Sequence, residues 1–264
     1  MKKVLTIAGS DCSGGAGVQA DIKTMLANGV YAMSVITALT AQNTTGVISV
    51  KNTDPEFLRQ QIDAVFEDIF PDAVKIGMVP DEGLIEVIAE RLKFYNAKNI
   101  VTDPVMVATS GDALSNKKSV DALVEKLFPV STLVTPNIPE AEALSGMKIN
   151  THDEKIEAGK KIADKSGCSV LIKGGHGGLD ADDILYHEGK VFEYRAERID
   201  NPNTHGTGCT LSSAIASNLA KGMTVPEAVE LAKKYVNGAI GSGLDLGRGR
   251  GPLDHGYDIK TEYK

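Results

Sequence analysis

Apolar and polar positions along this chain follow two rhythms that trade places repeatedly. Short apolar runs suited to buried strands occur at 4–8, stopped by Gly9 and Ser10, and at 31–39. Others follow in AVKIG near Val74, NIVTD from Asn99, TLVTPN from Thr132 and SVLIK from Ser169. Between them apolar residues recur three and four apart. Val18, Ile22, Met25 and Leu26 predict one helical face, ended by Gly29. Asp54 followed by Pro55 predicts a capped helix that carries Phe57, Leu58, Ile62, Val65 and Phe66 towards a core.

Further helices are predicted over 82–95, over 120–127 and around 140–144. Thr151 and Glu154 have capping-box spacing for a helix reaching Lys165. A hairpin of 184–187 and 191–198 turns at Glu188-Gly189, and helices over 207–220 and 226–239 follow. Strands alternating with helices of this length predict a mostly parallel sheet covered on both faces. No linker-like stretch or internal repeat interrupts the alternation, so one domain over 1–264 is expected.

Composition narrows the ligand classes. The 28 Lys and Arg stand against 35 Asp and Glu, a net charge of −7, with a pI near 5.3. That balance argues against a nucleic-acid backbone binder but leaves room for a small anion held by local donors. Cys12, Cys168 and Cys209 are too few and too scattered for a disulfide framework or thiolate zinc site. The apolar run after Lys2 and Lys3 is too short for a signal peptide, and no run of about 18 apolar residues follows. A cytoplasmic protein without a membrane partner is expected.

The candidate chemistry sits just after the predicted strands, where open parallel sheets bind their ligands. Asp11 follows the first strand, Gln42 and Asn43 the second, and Gly77-Met78 the third. Asp103, Asn137 and Lys173 follow the next three, and the loop 205–209 opens a helix. Glycines at Gly206 and Gly208 before a helix suit an anion site, since first-turn amides and the helix dipole both favour negative charge. An ordinary glycine-bearing helix start would look the same. Cys209 in that first turn is expected to have a lowered thiol pKa, although a small buried apolar role fits it as well.

Lys173 could reach a phosphate or merely be a solvated strand end. Asp103 could hold Mg²⁺ or shape the turn before Pro104, and Asn137 and Glu140 could serve Mg²⁺ or the helix start. Cys168 precedes an apolar strand and reads as buried, and Cys12 carries no assigned role. His176 and His205 lack metal-ligand spacing and are expected to be loop histidines. No GxxxxGK[ST], HExxH or GxSxG occurs, and the glycines at 247–251 do not join a strand to a helix as a dinucleotide motif would.

TIAGSDCSGGAGVQADIKT, VITALTAQNT, KIGM, DPVM, TPNIPEAEAL, IKGGH and NTHGTGCT occur in order from Val4 to about Gly251. Together they resemble the hydroxymethylpyrimidine/phosphomethylpyrimidine kinases of thiamine biosynthesis, within the ribokinase-like group. The resemblance implies a three-layer α/β fold without a separate lid domain and two successive ATP-dependent phosphorylations of an aminopyrimidine. It implies Cys209 as catalytic residue, with Gly206, Thr207 and Gly208 as the anion hole. Lys173 and Asn137 would face ATP, while Asp103 and Glu140 would serve Mg²⁺. Gln42 would read the pyrimidine, in a pocket lined by Gly9, Asp21, Met78 and Val105. Cys12 stands where relatives often have Pro or Ser. A homodimer is implied as well.

The nearest alternative is a pyridoxal or pyridoxine kinase of the same compact form, with Gln42 as the discriminating residue. A pyrimidine-binding protein without catalysis would need none of Cys209, Lys173, Asp103 and Glu140. A redox or protease-like cysteine enzyme lacks a resolving Cys and a His–Asp partner in the sequence.

Overall fold

The computed structural model describes residues 1–106, 117–175, 182–195 and 199–259. His176 and residues 196–198 of the expected hairpin lie outside them. The elements run β1 (Lys3–Asp11), α1 (Gly17–Ala27), β2 (Tyr31–Asn43), β3 (Gly46–Asn52), α2 (Pro55–Asp68), β4 (Ala73–Ile76) and α3 (Glu82–Phe94). There follow β5 (Ile100–Thr102), α4 (Lys117–Ala122), β6 (Leu133–Val134), α5 (Ile138–Ser145) and α6 (His152–Ser166). Last come β7 (Ser169–Ile172), β8 (Asp183–His187), β9 (Lys190–Tyr194), α7 (Thr207–Ala220) and α8 (Val225–Gly241).

The described strands form one sheet in the order β3-β2-β1-β4-β5-β6-β7-β8-β9. From β2 to β7 the pairs are parallel. β3 closes one edge antiparallel, and β8 and β9 close the other. The period-2 pleat sorts the strand residues onto two cores. Leu5, Ile7, Val74 and Ile76 pack with Leu58 and Ile62 of α2 and Leu84, Ile85 and Ile88 of α3. Val4, Ala73, Val101, Leu133 and Leu171 pack with Met25 of α1, Leu211 and Ile215 of α7 and Val229 of α8. This is the mixed three-layer α/β architecture expected.

Local signals hold at many boundaries. Asp54 accepts from the Phe57 N–H and Pro55 is the first helical residue. Thr151 and Glu154 form their reciprocal capping box. Glu188 and Gly189 both have positive φ, as the hairpin turn requires.

Four expectations need correction. β1 does not stop at Gly9: a register slip beside that residue carries it on to Asp11. The 120–127 helix is α only to Ala122 and continues as one π turn, Leu123–Leu127. Phe57 is exposed, because the core face of α2 is Leu58, Ile62 and Phe66. Ile22 and Leu26 are exposed too, and α1 buries Val18, Asp21, Thr24 and Met25 instead. An ion pair at Asp21, described below, turns that helix against its apolar pattern. β3 was not foreseen. Its Ile48 is 77% exposed, so the strand has no core-facing alternation to announce it.

Candidate active site

The polar residues beyond the parallel strands gather around the start of α7, because β1, β4, β5, β6 and β7 all end on that side. Gly206 caps α7 with φ +81°. A Cβ there would also overlap the Gly15 carbonyl oxygen, so the backbone path admits only glycine. The first-turn amides of Gly208 and Cys209 have no carbonyl one turn back to bind, which leaves them available to an anion.

Next to this helix start lies a lysine–carboxylate pair. Lys173 Nζ donates to Asp103 Oδ1 at 2.6 Å, and Thr135 Oγ1 donates to the same oxygen at 3.1 Å. A Cβ on Gly208 would sit 3.0 Å from Asp103 Oδ2 and 3.1 Å from Lys173 Nζ. Glycine therefore lets the helix start approach the pair closely. Burial works against the Lys173 ammonium, but Asp103 and Glu140 outweigh it and raise its pKa.

Asn137 and Glu140 form the capping box of α5. Glu140 N–H donates to Asn137 Oδ1 at 2.9 Å, and Asn137 N–H donates to Glu140 Oε2 at 2.8 Å. The Met106 N–H also reaches Glu140 Oε1, at 3.4 Å. Loss of hydration, together with Asp103, pushes the Glu140 carboxyl up to about 7 against the pull of Lys173. Excess negative charge held away from water is what a divalent cation would relieve. Asp103 Oδ2 accepts no hydrogen bond among the described residues, and these oxygens suit Mg²⁺. Among the described residues no cluster of three or more His, Cys, Asp or Glu side chains stands ready to hold a metal alone. Water or phosphate oxygens would have to complete the shell.

Cys209 is half-buried. Burial pushes its thiol up, Lys75 pulls it down, Asp21 and Asp103 push it up again, and the Gly17 N–H pulls it down. The net direction is upward, which corrects the expected lowering: desolvation outweighs the helix start.

Lys75 is the residue that the pattern missed. It sits in the apolar run of β4, paired in register with Thr6 of β1, and is fully buried. Its Nζ donates to both oxygens of Asp21, at 2.8 and 2.9 Å. Thr6 and Ser213 hydroxyls donate to the same carboxylate, at 2.6 and 2.8 Å. Asp21 therefore lies beneath the site rather than on its surface. A lysine inside AVKIG with no polar neighbour was the available signal.

The residues expected around the acceptor fall in two groups. Gly9 and Met78 meet directly, since a Cβ on Gly9 would lie 2.5 Å from Met78 Cε. Val105 is half-buried just beyond β5. Gln42 lines a pocket of about 330 Å³ with Asn43, Thr44, His205 and Arg250. The sequence reading missed the far wall of this pocket, which comes from the C-terminal glycine segment. Thr44 Oγ1 accepts the Arg248 and Gly249 N–H groups at 3.1 and 3.2 Å, and the Thr44 carbonyl accepts the Arg250 N–H at 3.1 Å. His205 is no idle loop residue either: its Nε2 lies 2.8 Å from Asp11 Oδ2. Cys12 is exposed, with Sγ 3.1 Å from the Gln42 carbonyl, and Cys168 is buried as expected. No helix among the described residues is long and apolar enough to cross a membrane.

Known proteins resemble this chain in sequence and in fold. The chain is 48% identical over 255 residues to the hydroxymethylpyrimidine/phosphomethylpyrimidine kinase of Rhizobium meliloti, covering 95% of this chain and 96% of that one. It is 48% identical to the thiamine biosynthesis bifunctional protein ThiED of Geobacter sulfurreducens, covering 96% of this chain but only 52% of that protein. The chain thus spans about half the length of that relative. Among solved structures it resembles the ADP complex of Bacillus subtilis pyridoxal kinase, with a TM-score of 0.89 and 40% identity over 97% of this chain and 98% of that one. A family model described as phosphomethylpyrimidine kinase matches residues 11–254. With a glycine-capped helix start, a lysine–aspartate pair and a thiol at one sheet edge, the chain belongs to the phosphomethylpyrimidine kinase family.

Proposed function

We propose that the protein moves the γ-phosphoryl group of ATP onto the hydroxymethyl oxygen of 4-amino-5-hydroxymethyl-2-methylpyrimidine, and then onto the monophosphate so formed. The observation that carries this reading is the Lys173–Asp103 pair held close against the start of α7 at Gly208. That arrangement supplies a cation, backbone donors and a carboxylate within one small volume. Phosphoryl transfer needs such positioning and charge neutralisation more than covalent help.

In each round the acceptor oxygen attacks the γ-phosphorus and the bond to the bridging oxygen of ADP breaks. In the first round the hydroxyl proton passes to the Cys209 thiolate, and in the second the attacking phosphate oxygen is already ionised. Gly206, Thr207 and Gly208 form the loop that cradles the transferring group. Lys173 balances its charge, and Asn137 lies on the nucleotide side. Mg²⁺ would be held by Asp103 and Glu140, and would neutralise phosphate charge when bound. Because burial favours the protonated thiol, Cys209 acts as a base only in the fraction already ionised, and turnover climbs through and beyond the ordinary thiol range near pH 8.5.

Gln42 reads the aminopyrimidine, with Gly9, Met78 and Val105 around the ring and Asp21 supporting the pocket from below. The reading extends to a cytoplasmic homodimer; light scattering that returns a single 27.9 kDa chain would remove the dimer. The deciding experiment is a coupled ADP-release assay with Mg²⁺-ATP and three acceptors: the hydroxymethylpyrimidine, its monophosphate and pyridoxal. Turnover of both pyrimidines with weak pyridoxal turnover is expected. Likeness to a pyridoxal kinase structure favours one second reading, in which pyridoxal is the better acceptor. Turnover of none would leave a binding protein.

A further inference from the structure

A chain of polar groups runs behind the acceptor pocket, and the phosphoryl chemistry does not use it. Asp11, at the end of β1, is almost fully buried. Its Oδ1 accepts from the Ser13 N–H and hydroxyl at 2.9 and 2.7 Å, and its Oδ2 accepts from the Ala16 N–H at 2.9 Å. His205 Nε2 approaches Oδ2 at 2.8 Å. Although burial works against the carboxylate, bonds from His205 and Ser13 hold its pKa at about 2. An ionised carboxylate can only accept, so His205 carries a proton on Nε2.

The Gln42 amide lies between two partners. One end is 3.3 Å from His205 Nε2 and the other 3.2 Å from Thr40 Oγ1. Thr40 Oγ1 also lies 2.9 Å from the Ser10 carbonyl. A hydroxyl has one proton, and the shorter contact to a carbonyl takes it, so towards Gln42 Thr40 can only accept. The one Nε2 proton of His205 goes to Asp11 Oδ2 at 2.8 Å, so towards Gln42 His205 presents an N–H that can accept nothing. An amide nitrogen facing His205 would set donor against donor, and an amide oxygen facing Thr40 would set acceptor against acceptor. Turning the amide end for end removes both conflicts without moving a heavy atom.

We propose that Asp11, His205 and Thr40 lock the Gln42 amide with its oxygen on the His205 side and its nitrogen on the Thr40 side, and that this fixed order selects the acceptor's heteroaromatic edge. Thr40 takes one proton of the nitrogen and the His205 proton is already given to Asp11, which leaves the amide oxygen as acceptor and one N–H as donor for the pocket. That pair complements a ring nitrogen adjacent to an exocyclic amino group, the edge of a 4-aminopyrimidine. Pyridoxal has no such neighbouring pair and can satisfy only half of it. His205, Asp11 and Thr40 are positioning residues here, because they act through Gln42. The proposal rests on the reading that Gln42 faces the acceptor.

The test pairs kinetics with spectroscopy on the full chain. Thr40→Val removes the acceptor for the amide nitrogen. Asp11→Asn, with its nitrogen in the place of Oδ2, can donate to Nε2 and release the histidine tautomer, while its oxygen in the place of Oδ1 still accepts from Ser13 and only the Ala16 N–H loses its acceptor. In both variants the ratio of kcat/KM for the hydroxymethylpyrimidine over pyridoxal is expected to fall roughly tenfold, mostly through KM for the pyrimidine. A purely structural role would depress both acceptors alike and leave the ratio unchanged, which would overturn the proposal. Thr40→Val is close to isosteric and carries the test if Asp11→Asn fails to fold.

The ring ¹⁵N shifts of His205 in the wild type are expected to show a protonated Nε2. A bare Nε2 beside a protonated Nδ1 would sink the lock whatever the kinetics. Gln42→Met should lower the same ratio. An unchanged ratio there would overturn the assignment of Gln42 as reader and the selection built on it, while the ¹⁵N result still tells whether the lock itself exists.

Discussion

Two lysine–aspartate pairs, one beneath the site and one at its surface, use the same chemistry for opposite purposes. Lys75 and Asp21 are both wholly enclosed, and the carboxylate takes two further hydroxyl donors. Lys173 keeps 13% of its side-chain surface and Asp103 3%, and beside them lies the glycine-lined start of α7. Desolvation opposes both pairs, and a single isolated charge in either place would be costly. The first pair spends all its contacts inside the protein and ties β1, β4, α1 and α7 together. The second leaves one carboxylate oxygen and one edge of an ammonium facing the place where phosphate would sit. On the function proposed above, similar residues therefore serve architecture when sealed and reaction chemistry when one face stays open.

This contrast breaks most sharply at Lys75. Lys75→Met leaves Asp21 buried without its cation and is expected to cost about 3–5 kcal/mol of stability, read by urea unfolding. Neutralising both partners in Lys75→Met/Asp21→Asn should recover much of that loss. A double variant as unstable as the single one would show that the charge balance is not what matters. At the open end, Cys209→Ala is expected to lower kcat by roughly 10²–10⁴-fold with the melting temperature unchanged. Unaltered turnover would remove the thiol from the reaction.

Lys173→Met should lie just below that, with kcat/KM for ATP reduced about 10²-fold and a smaller loss of stability than Lys75→Met, because the pair keeps one face open to water. Equal destabilisation by the two lysine variants would erase the distinction between the pairs. The smallest effect is acid sensitivity at Asp11. Its pKa is about 2 in the folded chain against 3.8 ordinarily. Between those values the unfolded chain binds the extra proton, so stability is full above the upper value and falls as pH drops towards the lower one. The loss is roughly 2 kcal/mol, and Asp11→Asn should flatten the wild-type decline measured by denaturant melts from pH 5 to 2.

Much of the scaffold was legible because its signals are local. Asp54-Pro55, the Thr151–Glu154 box and the Glu188-Gly189 turn each declare themselves within four residues. The site was legible as a set of polar residues closing apolar runs. Its pairings were not, because Lys173 meets Asp103 across 70 positions and His205 meets Asp11 across 194. Propensity carries no information over such spans. Where a long-range pair acts, it also overrides a local pattern: Asp21 is drawn inward by Lys75, and Ile22 and Leu26 of α1 are left on the surface. β3 escaped notice for the opposite reason, since an edge strand with Ile48 and Val50 exposed has no buried face to imprint on its sequence.

The bonds from Arg248, Gly249 and Arg250 to Thr44 have a consequence for how the molecule comes into being. They close a loop of about two hundred residues, among the most expensive closures in chain entropy that this fold makes. On the ribosome the sheet and its first helices can assemble while that wall of the acceptor pocket is still unsynthesised. A chain halted short of Gly247 would still carry the helix start for phosphate but not the wall beside Gln42. On the function proposed above, the wall beside Gln42 is therefore the last part of the pocket to be synthesised, and acceptor binding reports on chains whose last segment is in place.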